Sequence, residues 1–392
     1  MKRKLWKPIF VLFIIGNLFT CIEPYTPNLG RFESLLVVDA LLTDENASNY
    51  VKISRTVATA GQDPETVKGA QVTVTDDSGE IACFTEKGDG VYKSDSTVFR
   101  GETGRTYTLH IKTSDGNEYK SDPCMLSPVQ DIDTIYYKLD EEIIDNDIKS
   151  GLRLYVKSKS TTGCGYNRWT YHEWWKIEAY YAQESVYVDS ATFLPYKPYK
   201  RFCYANKKSG DIIIKPAQEN IDQPLFFIAS QLSPRLLIEY CLELKQLSIS
   251  KEEYEFWNCM KQIGESGSSI FDKQPFQISG NVHNVNAPDQ KVLGYFQVSG
   301  VKMMRRYITY KQAKEAGVIR YIYPCTAILA ERTRDLSTWD KVYKSYISGG
   351  LIFVRPVFDP GGLAKMMFVT PLCGDCTLSG NLAKPDFWKD LQ

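Results

Sequence analysis

The stretch Gly69-Ala70-Gln71-Val72-Thr73-Val74-Thr75 alternates small or polar residues with valine, and Asp76-Asp77-Ser78-Gly79-Glu80 follows it. A period of two places Val72 and Val74 on one face of a strand, where a helix would scatter them. Asp-Asp-Ser-Gly then offers a hairpin turn, with glycine free to take a positive φ. The same grammar recurs at Leu35-Leu36-Val37-Val38, Tyr50-Val51-Lys52-Ile53, Gly90-Val91-Tyr92 and Thr106-Tyr107-Thr108-Leu109-His110-Ile111. Ser114-Asp115-Gly116 returns the last of these into Glu118-Tyr119-Lys120-Ser121. About seven short strands with a turn signal roughly every 8–12 residues is the pattern of an immunoglobulin-like or transthyretin-like sandwich. The expectation is such a sandwich over residues 34–128.

A boundary near Pro128 leads into a larger β-rich domain over residues 129–392. Strand candidates there include 152–157, 168–179, 185–189, 211–215, 235–244, 293–301 and 351–354. Ser250-Lys251-Glu252-Glu253 reads as a capping box, Ser250 capping and Glu253 reaching back. Tyr254, Trp257, Met260 and Ile263 then fall on one helical face. A weaker helix runs from Tyr310 to Ala316 and ends at Gly317. The fold class is therefore mainly β, with one or two short helices.

The chain opens with Lys2, Arg3, Lys4 and Lys7, then an uncharged apolar run from Pro8 to Gly16. That is a secretory leader, too short to span a bilayer. Leu18-Phe19-Thr20-Cys21 resembles a bacterial lipobox, so residues 1–20 are expected to be the signal peptide and Cys21 the lipid attachment site. Residues 21–33, with two prolines and a glycine, suit a tether. Removing four bases and no acids from equal totals of 47 leaves the mature chain acidic by four charges. An acidic surface without a basic stripe argues against nucleic-acid binding.

Exported cysteines tend to pair. Of ten cysteines, nine remain beyond Cys21, and spacing alone does not fix their connectivity. Cys373-Gly374-Asp375-Cys376 mimics a redox motif, yet only 16 residues follow it, with no room for the supporting helix such a motif requires. Structural bridges from Cys373 or Cys376 to Cys325 or Cys203 are the favoured expectation. No second close pair completes a zinc site. Asp76-Asp77 with Asp89 has the oxygen chemistry of calcium, although Asp-Asp-Ser-Gly is more often a turn. His172-Glu173 is not HExxH, and neither GxSxG nor GxxxxGK[ST] occurs. No cofactor is expected.

Tyr166-Asn167-Arg168-Trp169-Thr170-Tyr171-His172-Glu173-Trp174-Trp175 is either strand core or a recognition surface. By parity Trp169, Tyr171 and Trp175 share one face, the better core set, leaving His172 and Trp174 on the other. Trp174, with His172 beside it, is the candidate for exposed recognition.

The runs LLVVDALLTDE, GAQVTVTDDSGE, GRTYTLHIKTSDGNEYKS, SISKEEYEFW, QPFQISGNVHN and VLGYFQVSG, closed by CGDCTLSG and KPDFW, occur in this order. Together they resemble the Bacteroidota lipoprotein family catalogued as domain of unknown function 4249. The resemblance implies an outer-membrane lipoprotein on the cell-surface or periplasmic face, encoded beside TonB-dependent receptors, and it brings no catalytic residues. The expected role is a non-catalytic accessory or ligand-binding partner of such a transporter. The rivals are an envelope spacer or adhesion protein and, third, a glycan or peptide hydrolase.

Overall fold

A computed structural model describes residues 33–389, except 48, 59–60, 96–98, 160–164, 189–192, 198–199, 267–279, 332–335, 359 and 361–363. The leader, Cys21 and the tether up to residue 32 lie outside the described residues. The chain is mainly β.

Alternation builds the first unit as read. Leu36, Val38, Ala40 and Leu42 of strand Leu36–Thr43 are buried, as are Val72 and Val74 of Gln71–Asp76 and Tyr107, Leu109 and Ile111 of Thr106–Lys112. All of them enter one core. The sheet around that core is not confined to residues 34–128. Strand Val292–Ser299 pairs parallel to Leu36–Thr43 at one end, and Val282–Asn284 pairs with Glu118–Ser121 at the other. These two late strands are neighbours in sequence, and Asn281 joins their ends. Its side-chain amide donates to the Phe296 carbonyl at 3.0 Å and accepts from the Phe296 N–H at 2.8 Å. One sheet thus curls into a nearly closed barrel.

A second unit sits beside it. Antiparallel strands Asp131–Ile144, Asp147–Lys159 and Asn220–Ala229 face a sheet built on Tyr166–Glu178, Glu239–Ile249 and Val301–Thr309. Trp169, Leu152, Leu154, Tyr240, Leu242 and Leu244 form the core between them. Gln246 satisfies the polar groups at its edge, accepting from Trp169 Nε1 at 2.8 Å and Ser158 Oγ at 2.6 Å. A third, smaller sheet of Ile328–Ala330, Ile352–Phe358 and Ala364–Val369 carries the helix Leu336–Ile347, which the sequence reading did not include.

Disulfides Cys203–Cys376 and Cys325–Cys373 fasten the last segment, so the two cysteines of the CxxC run bond to different partners. Asp76 and Asp77 serve the turn: Asp76 Oδ1 accepts from the N–H groups of Ser78 and Glu80, both at 2.9 Å, and Arg105 pairs with both carboxylates. Asp89 occupies its own turn, at a φ of 51°.

Candidate functional site

The joint between barrel and second sheet holds a cavity of about 420 Å³. One wall is the outer face of the barrel. Alternation that sends Val38 and Ala40 inward turns Val37, Asp39 and Leu41 toward the joint, with Tyr295 and Gln297 alongside. Gly294 lets the two parallel strands close up at this wall: its φ is +93°, and a Cβ there would stand 1.9 Å from the Val38 carbonyl oxygen. The opposite wall is the second sheet, through Arg168, Thr170, Lys245 and Leu247. Helix Lys251–Ser266 lies along the joint and contributes Phe256, Trp257 and Met260.

Cross-links hold the walls at a set spacing. Lys245 Nζ pairs with Glu45 Oε2 at 2.7 Å, Arg168 Nη1 donates to Gln297 Oε1 at 2.7 Å, and the Val301 N–H donates to Asp44 Oδ1 at 2.8 Å. Such a preformed concavity, part apolar and part polar, with two cations and two carboxylates in its lining, has the form of a ligand site.

Arg168, Trp257 and Gln297 give the cavity its chemistry. Arg168 stacks on the Trp257 ring at 3.6 Å from its centroid. Burial pulls its pKa down, and the fields of Glu253, Tyr50 and Asp39 oppose that shift. Its Nε is enclosed without a hydrogen-bond partner. Among the described residues Gln297 is the acceptor the guanidinium finds, so a group with five donors is short of them.

The helix start places a buried acid, Glu253, near Arg168. Ser250 Oγ accepts from the Glu253 N–H at 3.1 Å, the capping bond read from the sequence. The Glu253 carboxyl does not reach back, however. It takes the Trp257 indole N–H at 2.9 Å, one turn further along. Glu253 is 2% exposed, and burial pushes its pKa up to about 8 despite the Trp257 bond and the nearby Arg168. It is therefore largely protonated at neutral pH and does not neutralise Arg168.

Glu253 lines a second cavity of about 400 Å³ with Cys124, Asn281 and Tyr295. Burial lifts the Cys124 thiol to about 12, which keeps it protonated and a poor nucleophile. Tyr50, hydrogen-bonded to Asp39 at 3.2 Å, is also raised to about 12, burial being the larger cause.

The aromatic segment divides between its faces as parity requires. Trp169, at 0% exposed, and Tyr171 are buried in the core, with Trp175 packed against it. The exposure expected of Trp174 is not found. Its ring meets His172 at 4.3 Å and Phe387 at 5.4 Å, and Phe387 and Trp388 cover that end of the sheet. The cause is the C-terminal segment. Cys376 is bonded to Cys203, Asn381 pairs with Tyr204, and Tyr307 donates to the Phe387 carbonyl at 2.9 Å, so the chain itself occupies this surface. His172 turns to Asn206 at 3.0 Å.

The same strand face reaches the cavity only at its other end, through Arg168 and Thr170. Arg168 lies inside the aromatic run. Its one sequence signal was a cation flanked by rings on a strand face that parity leaves outside the core. Trp257 falls on the apolar helical stripe of the sequence, yet its partly buried ring carries two polar contacts.

Among curated proteins, no sequence matches this chain. Residues 22–305 match the family model described as Domain of unknown function (DUF4249), a span that includes both walls of the cavity and its helix. The chain belongs to that family.

Proposed function

We propose that this is a lipid-anchored protein of the bacterial outer membrane that captures a small ligand at the joint of its two β units. On this reading it serves as a non-catalytic accessory of a TonB-dependent transporter. The observation that carries the binding role is the cavity itself, a preformed concavity of mixed apolar and polar lining that includes an under-partnered guanidinium. The cross-linked walls support binding without large rearrangement, since a fixed site loses little ordering entropy. The anchoring part of the proposal rests on the basic leader, the apolar run and the lipobox-like Cys21. The transporter part rests on what the family resemblance implies.

Tagged full-length protein purified from detergent-solubilised native outer membranes tests both parts. A TonB-dependent receptor enriched with the wild-type chain supports the proposal, as does loss of membrane association in Cys21→Ala. A processed Cys21→Ala chain that still pellets with membranes overturns the anchor. Absence of any enriched receptor overturns the transporter role and favours an envelope spacer.

A further inference from the structure

We infer that the joint cavity takes a ligand with a single carboxylate on a compact apolar body, the carboxylate pairing with Arg168 and the body lying against Trp257, Phe256 and Leu247. This rests on the capture reading above and names the ligand's chemistry.

Charge comes first. Among the described residues no carboxylate forms an ion pair with Arg168, whereas Lys245, the other cation of the cavity, is already paired with Glu45. Glu253 is the nearby acid that influences Arg168 most, and it lines the neighbouring cavity, largely protonated. A largely buried cation stacked on an indole and bonded to one neutral amide lacks an anionic partner. The arrangement is costly unless an anion arrives, because a desolvated charge stabilises itself through charge-assisted hydrogen bonds.

The number of charges comes next. Asp39 and Glu45 also line this cavity. Two cations, Arg168 and Lys245, thus stand against two carboxylates; a phosphate monoester, at −1.5 to −2 near neutral pH, would meet more repulsion from them than the single charge of a carboxylate pairing with Arg168. Arg matches a planar carboxylate in two-point geometry, which adds direction to the attraction.

The body of the ligand follows from the walls. Val37, Leu41, Leu247, Phe256, Trp257 and Met260 offer apolar surface, and about 420 Å³ suits a small molecule rather than a folded partner.

Calorimetric titration of the full-length lipoprotein in dodecyl maltoside tests this, with three probes sharing one body: naphthalene-1-acetate, 2-(1-naphthyl)ethanol and 1-naphthyl phosphate. The carboxylate is expected to bind about 10-fold or more tighter than the alcohol, the range for a hydrogen-bonded charge. Arg168→Gln should erase that advantage while leaving alcohol binding within about twofold, and Trp257→Leu should weaken both. Equal binding of carboxylate and alcohol to the wild type, no binding of the carboxylate at millimolar concentration, or an unaltered carboxylate preference in Arg168→Gln would each overturn the inference. Tighter binding of the phosphate would overturn the assignment to a carboxylate. If Arg168→Gln does not fold, the three-probe comparison on the wild type decides alone. The transporter role fails separately, by absence of a receptor in the membrane purification.

Discussion

Replacing Glu253 by glutamine should stabilise the protein, and by more as pH rises. The carboxyl is 2% exposed and its pKa stands at about 8, against an ordinary value of 4.5. A folded-state pKa raised above the unfolded one means that the native chain keeps a proton the unfolded chain releases. Stability is therefore lost as pH climbs from about 4.5, and the loss levels off near 8. Each pH unit in that window costs about 1.4 kcal/mol. At pH 7 the wild type thus forgoes on the order of 3 kcal/mol, and at pH 8 on the order of 4 to 5. Glutamine has no proton to release, and its carbonyl can still accept the Trp257 indole N–H that Glu253 Oε1 takes at 2.9 Å. Urea unfolding of wild type and Glu253→Gln, disulfides intact, at pH 5, 6, 7 and 8 and constant ionic strength, should show curves that nearly coincide at pH 5. They should separate steadily above it, with the variant more stable. A gap that does not change with pH, or a wild type that is the more stable at pH 8, would refute the reasoning.

Trp169→Ala should cost about 3–5 kcal/mol in chemical denaturation, since it empties a fully buried site and takes the indole N–H away from Gln246. Arg235→Met should cost a similar amount, because Glu173, 2% exposed, would lose the guanidinium now 2.7 Å away and be left with the Tyr240 hydroxyl, at 2.9 Å, in a buried site. Cys325→Ser with Cys373→Ser should lower stability by about 4 kcal/mol, the loop-entropy value for two cysteines 48 residues apart. The same pair of changes should speed proteolysis of the C-terminal segment, as followed by mass spectrometry.

What could be read from the residues was what depends on neighbours in the chain. Val72 and Val74 declared their face by alternation, Ser250 its helix start, and the odd-numbered aromatics of Tyr166–Glu178 their side of the sheet. The barrel's closure was not readable. Leu36–Thr43 pairs with Val292–Ser299 across most of the chain, and a strand's own pattern does not name its partner. Trp174 failed for a related reason: parity says which way a side chain leaves the sheet, not what lies there, and Phe387 and Trp388 lie there. Arg168 became meaningful only when the fold set Trp257 against its guanidinium and left Glu253 buried and largely protonated at neutral pH.

The central claim is that the joint cavity holds a ligand in the living envelope. The direct measurement is the small-molecule content of the full-length protein isolated from its native cells, compared between wild type and Arg168→Gln by mass spectrometry. The expected result is a carboxylate-bearing compound retained in near-stoichiometric amount by the wild type and depleted in a folded Arg168→Gln chain. Identical contents in the two proteins, or a wild type that carries no such compound, would contradict it.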